Sequence, residues 1–173
     1  DLPDIGYSTD IDTVMASSYQ VKKQLQQIVK IEQPITNTLL YKRILRIWNL
    51  TRVTTRLQVF IDNLLEDAYK DPLSGDTIIY WEDEEKAKDC DFYRINSKRD
   101  ILDIPILEVM SAARYAIEQQ ISMPTEDLKR LTSQLLGFSR KGNNLDMVTE
   151  QTIQLLIDQG IFSHANGMVS MNN

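Results

Sequence analysis

The sequence predicts a mainly helical protein with short β-hairpins, built as two copies of one small unit. Three observations carry this expectation. Apolar residues recur at helical spacing through most of the chain. A block from Leu40 to Leu57 returns 88 positions on, as Leu128 to Leu145. Strand-like runs follow each block, the second of them around Asn166-Gly167.

The repeat is modest in identity and regular in pattern. Leu40 pairs with Leu128, Ile47 with Leu135, Trp48 with Leu136, Leu50 with Phe138, Arg52 with Arg140 and Leu57 with Leu145. Before the blocks, Ile28 to Ile35 stands opposite Ala116 to Ile121, with a small slip in register.

Residues 1–17 have loop-like composition and are read as a leading segment. Ser18 to Ile31 then places Val21, Leu25, Ile28 and Val29 on one stripe, which predicts a first helix. Pro34 ends it, because proline cannot donate within a helix. Thr36, Asn37 or Thr38 can cap a second helix with Leu40, Ile44, Ile47 and Trp48 inward. Asn49 suits the left-handed turn that closes it, and Gly137 holds the same place in the second copy. Leu57, Phe60, Ile61, Leu64 and Leu65 predict a third helix.

Strands are expected next. In the first copy Thr77 to Trp81 reads as one strand and Phe92 to Ile95 as its partner, around a solvated acidic loop, Glu82 to Glu85. In the second, Ile161 to Met171 reads as a hairpin, since Asn-Gly tolerates positive φ. Three helices with a turn between the second and third, then a hairpin, is a winged helix-turn-helix-like plan. The expected organisation is a leading segment 1–17, a first unit 18–95, a linker 96–104 and a second unit 105–173.

Composition narrows the functional classes. No apolar stretch reaches the roughly 18–20 residues of a membrane span, so no membrane association is expected. The chain begins at Asp1 without a signal-peptide pattern, which suggests a piece of a longer protein. Cys90 is the single cysteine, so no internal disulfide can form and a cytoplasmic setting is the default.

The net charge of −6 argues against nucleic acid until its arrangement is considered. Residues 40–56 hold Lys42, Arg43, Arg46, Arg52 and Arg56 and no acid. Residues 128–144 hold Lys129, Arg130, Arg140 and Lys141, again with no acid. These windows carry nine of the 19 basic residues, which leaves 10 basic and 25 acidic residues elsewhere. Both windows span the second helix and the approach to the third, the parts of a helix-turn-helix that meet DNA. All nine are therefore candidate nucleic-acid contacts. Cations at a helix N-terminus oppose the helix dipole, so Arg52, Arg56, Arg140 and Lys141 call for some other reason to be there. A basic helix face can equally serve contacts within the protein or with a partner protein.

Catalytic patterns are not found. Gly137 to Asn144 resembles a phosphate-binding loop for six positions, then offers Asn143 and Asn144 in place of Lys and Ser/Thr. Asp76 with Glu84 and Lys86 looks superficially like a metal-dependent nuclease triplet, but the Glu-x-Lys lies in a charge run beyond the strand. His164 is the single histidine, so a metal cluster or histidine-based triad lacks partners. Cys90 lies between Asp89 and Asp91, which disfavour its thiolate. Trp48 and Trp81 are read as core residues, and no cofactor is expected.

The blocks WNLTRVTTRL (Trp48 to Leu57) and LLGFSRKGNNL (Leu135 to Leu145) resemble the repeated blocks of an uncharacterised domain. That domain lies at the C-terminal end of large bacterial superfamily 1 DNA helicase-like proteins, several of which also carry a Vsr-like endonuclease domain. The resemblance extends over roughly residues 20 to 162. The second block of that family often carries an Arg near the position of Asn144, which is absent here. The resemblance implies a C-terminal accessory module of a DNA-processing ATPase, with the ATPase and nuclease motifs upstream. It carries over no functional residues. The expected role is thus a non-catalytic module that helps the rest of the parent protein engage DNA. The alternative is a protein-interaction or oligomerisation module docked on the parent's motor domain.

Overall fold

The computed structural model describes residues 10–73, 75–88, 90–95 and 98–172. The chain divides into two compact units, one up to residue 89 and one from residue 90. Among the described residues both are mainly helical, and each carries one small antiparallel sheet.

The first unit opens with a short helix α1 (Ile11–Ala16) inside the expected leading segment. Asp10 caps it by accepting from the Asp12 N–H, and Val14 buries one side. Residues 1–9 of that segment lie outside the described residues. Helix α2 (Ser18–Glu32) buries Val21, Leu25, Ile28 and Val29, the predicted stripe. It stops two residues before Pro34, and strand β1 (Ile35–Thr36) follows. Thr36 caps helix α3 (Asn37–Ile47), its hydroxyl accepting from the Leu39 N–H at 3.3 Å. Helix α4 (Thr55–Leu64) is capped by Thr54 in the same way, at 3.2 Å to the Leu57 N–H. Both threonines satisfy amide groups that a helix leaves open in its first turn.

Strand β2 (Tyr69–Lys70) and strand β3 (Ile79–Trp81) complete a sheet ordered β1-β3-β2. Here the strand pairing differs from expectation. The partners of β3 are residues 35–36 and 69–70, whereas Phe92 to Ile95 forms no strand and groups with the second unit. A two-residue strand is too short to show alternation, so β1 and β2 left no pattern to read. The acidic run expected as a loop contains instead a short exposed helix α5 (Glu84–Lys88).

In the second unit Asp100 caps a short 3-10 turn (Ile101–Asp103) within the expected linker, and Ile101 and Ile104 are buried in that unit's core. Helix α6 (Ile106–Glu118), strand β4 (Met123–Pro124), helix α7 (Thr125–Leu135) and helix α8 (Asn143–Asp158) follow. Strands β5 (Phe162–Ala165) and β6 (Met168–Met171) form the predicted hairpin. Asn166 and Gly167 take φ of 53° and 75°, the positive values its two-residue turn requires. The sheet order is β4-β6-β5, the counterpart of β1-β3-β2.

The two units therefore run helix, strand, helix, helix, strand, strand after their leading segments. Their shared register of 88 holds without a slip from α2 to the third helix. Val21, Ile28, Ile35, Leu40, Leu57 and Leu65 stand for Val109, Ala116, Met123, Leu128, Leu145 and Ile153, and all twelve are buried.

The turn between second and third helix repeats bond for bond. Leu50 donates to the Leu45 carbonyl and Phe138 to the Ser133 carbonyl, each at 2.9 Å. Asn49 and Gly137, at φ of 51° and 92°, donate to the carbonyls of Arg46 and Gln134. These are the two bonds of a Schellman motif, and the left-handed residue is what reverses the chain there. In the first unit Trp48 also donates through its indole Nε1 to the buried Gln24 at 2.8 Å, tying that turn to α2.

Candidate nucleic-acid interface

A helix-turn-helix surface is built from the outer face of the third helix and the turn before it. In the first unit the α4 core positions are Leu57 and Ile61, with Leu65 just beyond. That burial turns Thr55, Arg56, Val59 and Asn63 outward. From Thr51 to Ile61 the surface holds no acidic residue.

The five basic residues of this unit have different surroundings. Arg43 is taken by α2: its Nε and one terminal nitrogen meet the two oxygens of Glu32, both at 2.8 Å. Such a fork-on-fork pair orients the guanidinium along the unit instead of outward. Arg56 is exposed but lies 2.8 Å from Asp12 of α1. Lys42 is exposed on α3. Arg46, in the last turn of α3, and Arg52, in the turn, are exposed and have no ion pair among the described residues. Arg46, Arg52 and Arg56 thus bracket the turn and the start of α4.

The second unit is arranged differently. Lys129 is only 7% exposed, and its Nζ lies 2.7 Å from Asp146, 2.9 Å from Glu150 and 3.3 Å from Glu126. Burial alone would lower its pKa, but the bonds to Asp146, Glu150 and Glu126 outweigh this and hold it above the lysine range. Its charge is committed inside the unit, so the expectation that it faces a ligand does not fit its position. Arg130 is exposed and pairs with Asp127 at 2.8 Å. Arg140 and Lys141 are exposed in the turn and have no ion pair among the described residues.

Lys129, Arg130, Arg140 and Lys141 do come together, lining one groove of about 590 Å³ between α7 and the start of α8. Glu126, Asp127 and Asp146 line it too. The groove is therefore mixed in sign, unlike the acid-free surface of the first unit.

The same scaffold position explains this inequality. Tyr41 stands where the second unit has Lys129, and Asp62 stands where it has Glu150. In the first unit this pair is a hydrogen bond, the Tyr41 hydroxyl donating to Asp62 at 2.7 Å. Tyr80 reaches the same carboxylate at 3.4 Å. Burial first, and the Asp62 charge and bond second, raise both phenols above the usual tyrosine range. A neutral donor thus holds one carboxylate in the first unit, whereas a cation holds three in the second.

One more charged cluster lies in the second unit. Glu108 of α6 is fully buried and takes bonds from Arg94 and from Arg99, the latter at 2.7 Å and 3.0 Å. Burial pushes its carboxyl up, but the two guanidiniums prevail and hold it below the usual carboxylate range. The cluster pins Arg94 and Arg99 onto α6, a structural task.

The remaining chemical candidates are placed as follows. Gly137 is the helix-ending residue described above, and the segment before it is helix α7. Glu84 and Lys86 lie exposed on α5, with Lys86 paired to Glu82. Asp76 is an exposed bend residue, and His164 is exposed on β5. Trp48 and Trp81 are buried, and Trp81 donates to Asp71 at 2.9 Å. Among the described residues no group of three or more His, Cys, Asp or Glu is placed to hold a metal ion. None of the described helices is long and apolar enough to cross a membrane.

Residues 16–59 match the family model described as "Protein of unknown function (DUF3320)". The matched stretch contains α2, β1, α3, the turn and the start of α4, and so the first of the two repeated blocks. No curated protein and no solved structure gives a significant match.

Proposed function

We propose that each unit is a winged helix-turn-helix module, and that the first engages double-stranded DNA. The order of elements supports this reading, as does the strand order that places the first strand beside the third. In this arrangement α4 enters the major groove and the β2–β3 connection acts as the wing. The observation that carries the proposal is the pair Arg46 and Arg52. Both are exposed, neither has an ion pair among the described residues, and they flank the turn leading into a helix whose first two turns carry no acidic residue. Each can neutralise a phosphate and release its counterions.

The chain would act as a non-catalytic accessory module, in a cytoplasmic setting, at the C-terminal end of a larger helicase-like protein. Support for that context comes from the resemblance of both repeated blocks, while the ATPase would lie upstream. The expected result is weak duplex binding that falls steeply with salt. Titration of a labelled duplex at low salt tests it, with Arg52→Ala plus Arg56→Ala as the comparison. Absence of binding, or binding indifferent to that double substitution, would overturn the proposal.

A second reading applies to the second unit. Its mixed-sign groove suits a protein segment better than a phosphate backbone, because carboxylates repel phosphate. Under this reading the second unit docks on the parent's motor domain. Glu126→Lys plus Asp127→Lys would then weaken a complex between this chain and the rest of the parent, measured by calorimetry.

A further inference from the structure

Resting on the DNA-binding reading above, we infer that Thr55, Val59 and Asn63 form the base-reading stripe of the first unit and select A·T pairs. The three residues stand four apart on α4, so they align along one outward stripe. None is charged. Val59 is 54% exposed, an apolar side chain between two polar ones on the surface that the acid-free turn leads into. The Asn63 side chain has no hydrogen-bond partner among the described residues, so its donor and acceptor are both available.

The second unit repeats the arrangement. Asn143, Met147 and Gln151 occupy the matching positions of α8 and are likewise exposed, Met147 at 46%. A small polar residue, an apolar residue and an amide therefore recur on the outer face of both third helices, while the charges around them differ. Scattered surface apolar residues are ordinary; the same triplet of side-chain types at the same three positions is not a scatter.

The chemistry of the stripe matches one kind of base pair. Asn and Gln amides bond the N6 and N7 edge of adenine as a pair, and an apolar side chain packs on the thymine methyl. No residue of the stripe offers the fixed two-donor fork that favours guanine. Arg46, Arg52 and Arg56 beside it would supply the phosphate contacts that hold α4 in register. Beside the stripe the second unit has exposed Asp146 and Glu150, where the first has Gln58 and the half-buried Asp62 bonded to Tyr41, so the first unit is the better reader of a polyanion.

The experiment compares three alternating duplexes of equal length at low salt: dA-dT, dA-dU and dG-dC. The dA-dU duplex lacks only the thymine methyl. The whole chain is expected to bind dA-dT about fourfold more tightly than dA-dU, the worth of burying one methyl-sized group. Both should be bound more tightly than dG-dC. Val59→Ser, an exposed substitution that leaves the core intact and removes the apolar contact, should bind dA-dT and dA-dU equally. Asn63→Ala should narrow the preference for dA-dU over dG-dC. Equal binding of dA-dT and dA-dU by the unsubstituted chain, or no preference over dG-dC, would overturn this inference while leaving DNA binding in place. No binding to any of the three would overturn both.

Discussion

Position 41 of the first unit is a tyrosine that shares one carboxylate with Tyr80, whereas the matching Lys129 of the second unit gathers three. The backbone frame around the two positions is alike in helix order, turn and sheet order. What differs is how the outer surface must be charged to satisfy the inner residue. A buried ammonium requires carboxylates nearby, and in the second unit they come from α7 and α8, the helices that frame the candidate surface. A phenol needs only one acceptor, so α4 stays free of acids over its first two turns. The choice of a buried side chain thus decides whether the surface above it can approach a polyanion.

The largest expected effect breaks the second unit. Glu108→Ala leaves two part-buried guanidiniums without their carboxylate and is expected to destabilise that unit by about 3–5 kcal/mol. Urea unfolding followed by hydrogen exchange at α6 amides measures it. Position 20, the first unit's match for Glu108, is a glutamine, so that unit carries no such dependence there.

Acid should reveal the same contrast. The folded carboxyl of Glu108 is held below its unfolded value, so its contribution is present above that unfolded value, about 4.3. It is lost as the pH falls through the folded value. The second unit should therefore open first on acidification. Both tryptophans, Trp48 and Trp81, lie in the first unit. The loss of α6 protection should precede the change in tryptophan fluorescence, and the reverse order would contradict this account.

A smaller effect compares the shared turn. Gly137→Ala forces a Cβ into the left-handed region and is expected to cost about 1–2 kcal/mol in a thermal melt. Asn49→Gly should instead be neutral or slightly stabilising, since glycine removes the mild strain that asparagine tolerates there. The inner pair comes next: Tyr41→Phe removes one hydrogen bond to Asp62, worth about 1 kcal/mol, and leaves the outer charges unchanged. The smallest effect concerns Arg56. Asp12→Asn releases it from an exposed ion pair and should strengthen duplex binding about twofold, within the range of surface pairs.

Much of this frame was legible in the sequence. The Asn49 and Gly137 turn, the Asn166-Gly167 hairpin and the stripes of α2 and α3 all follow from local chemistry that few other conformations satisfy. Less visible were the features made by distant partners. Strands β1 and β4 are two residues long and exist because β3 and β6 lie beside them. Helix α1 owes its start to Asp10, one carboxylate in a stretch whose composition reads as loop.

The candidate surface was legible in outline and not in detail. Two acid-free windows are a property of the sequence, but Lys129 sits in its window as an ordinary helix lysine. Only the third helix, bringing Asp146 and Glu150, makes it an inner residue. Likewise Arg43 and Arg56 find Glu32 and Asp12 across the fold, 11 and 44 residues away in the chain. Charge counts in a window cannot register such partners.

The inequality of the two units is tested most directly by the salt dependence of duplex binding. Each phosphate contact contributes about 0.9 to the slope of log K against log salt. Arg46→Ala plus Arg52→Ala is expected to reduce that slope by about 2, while Arg140→Ala plus Lys141→Ala changes it far less. Equal reductions from the two double variants, or a larger one from the second unit, would contradict the account.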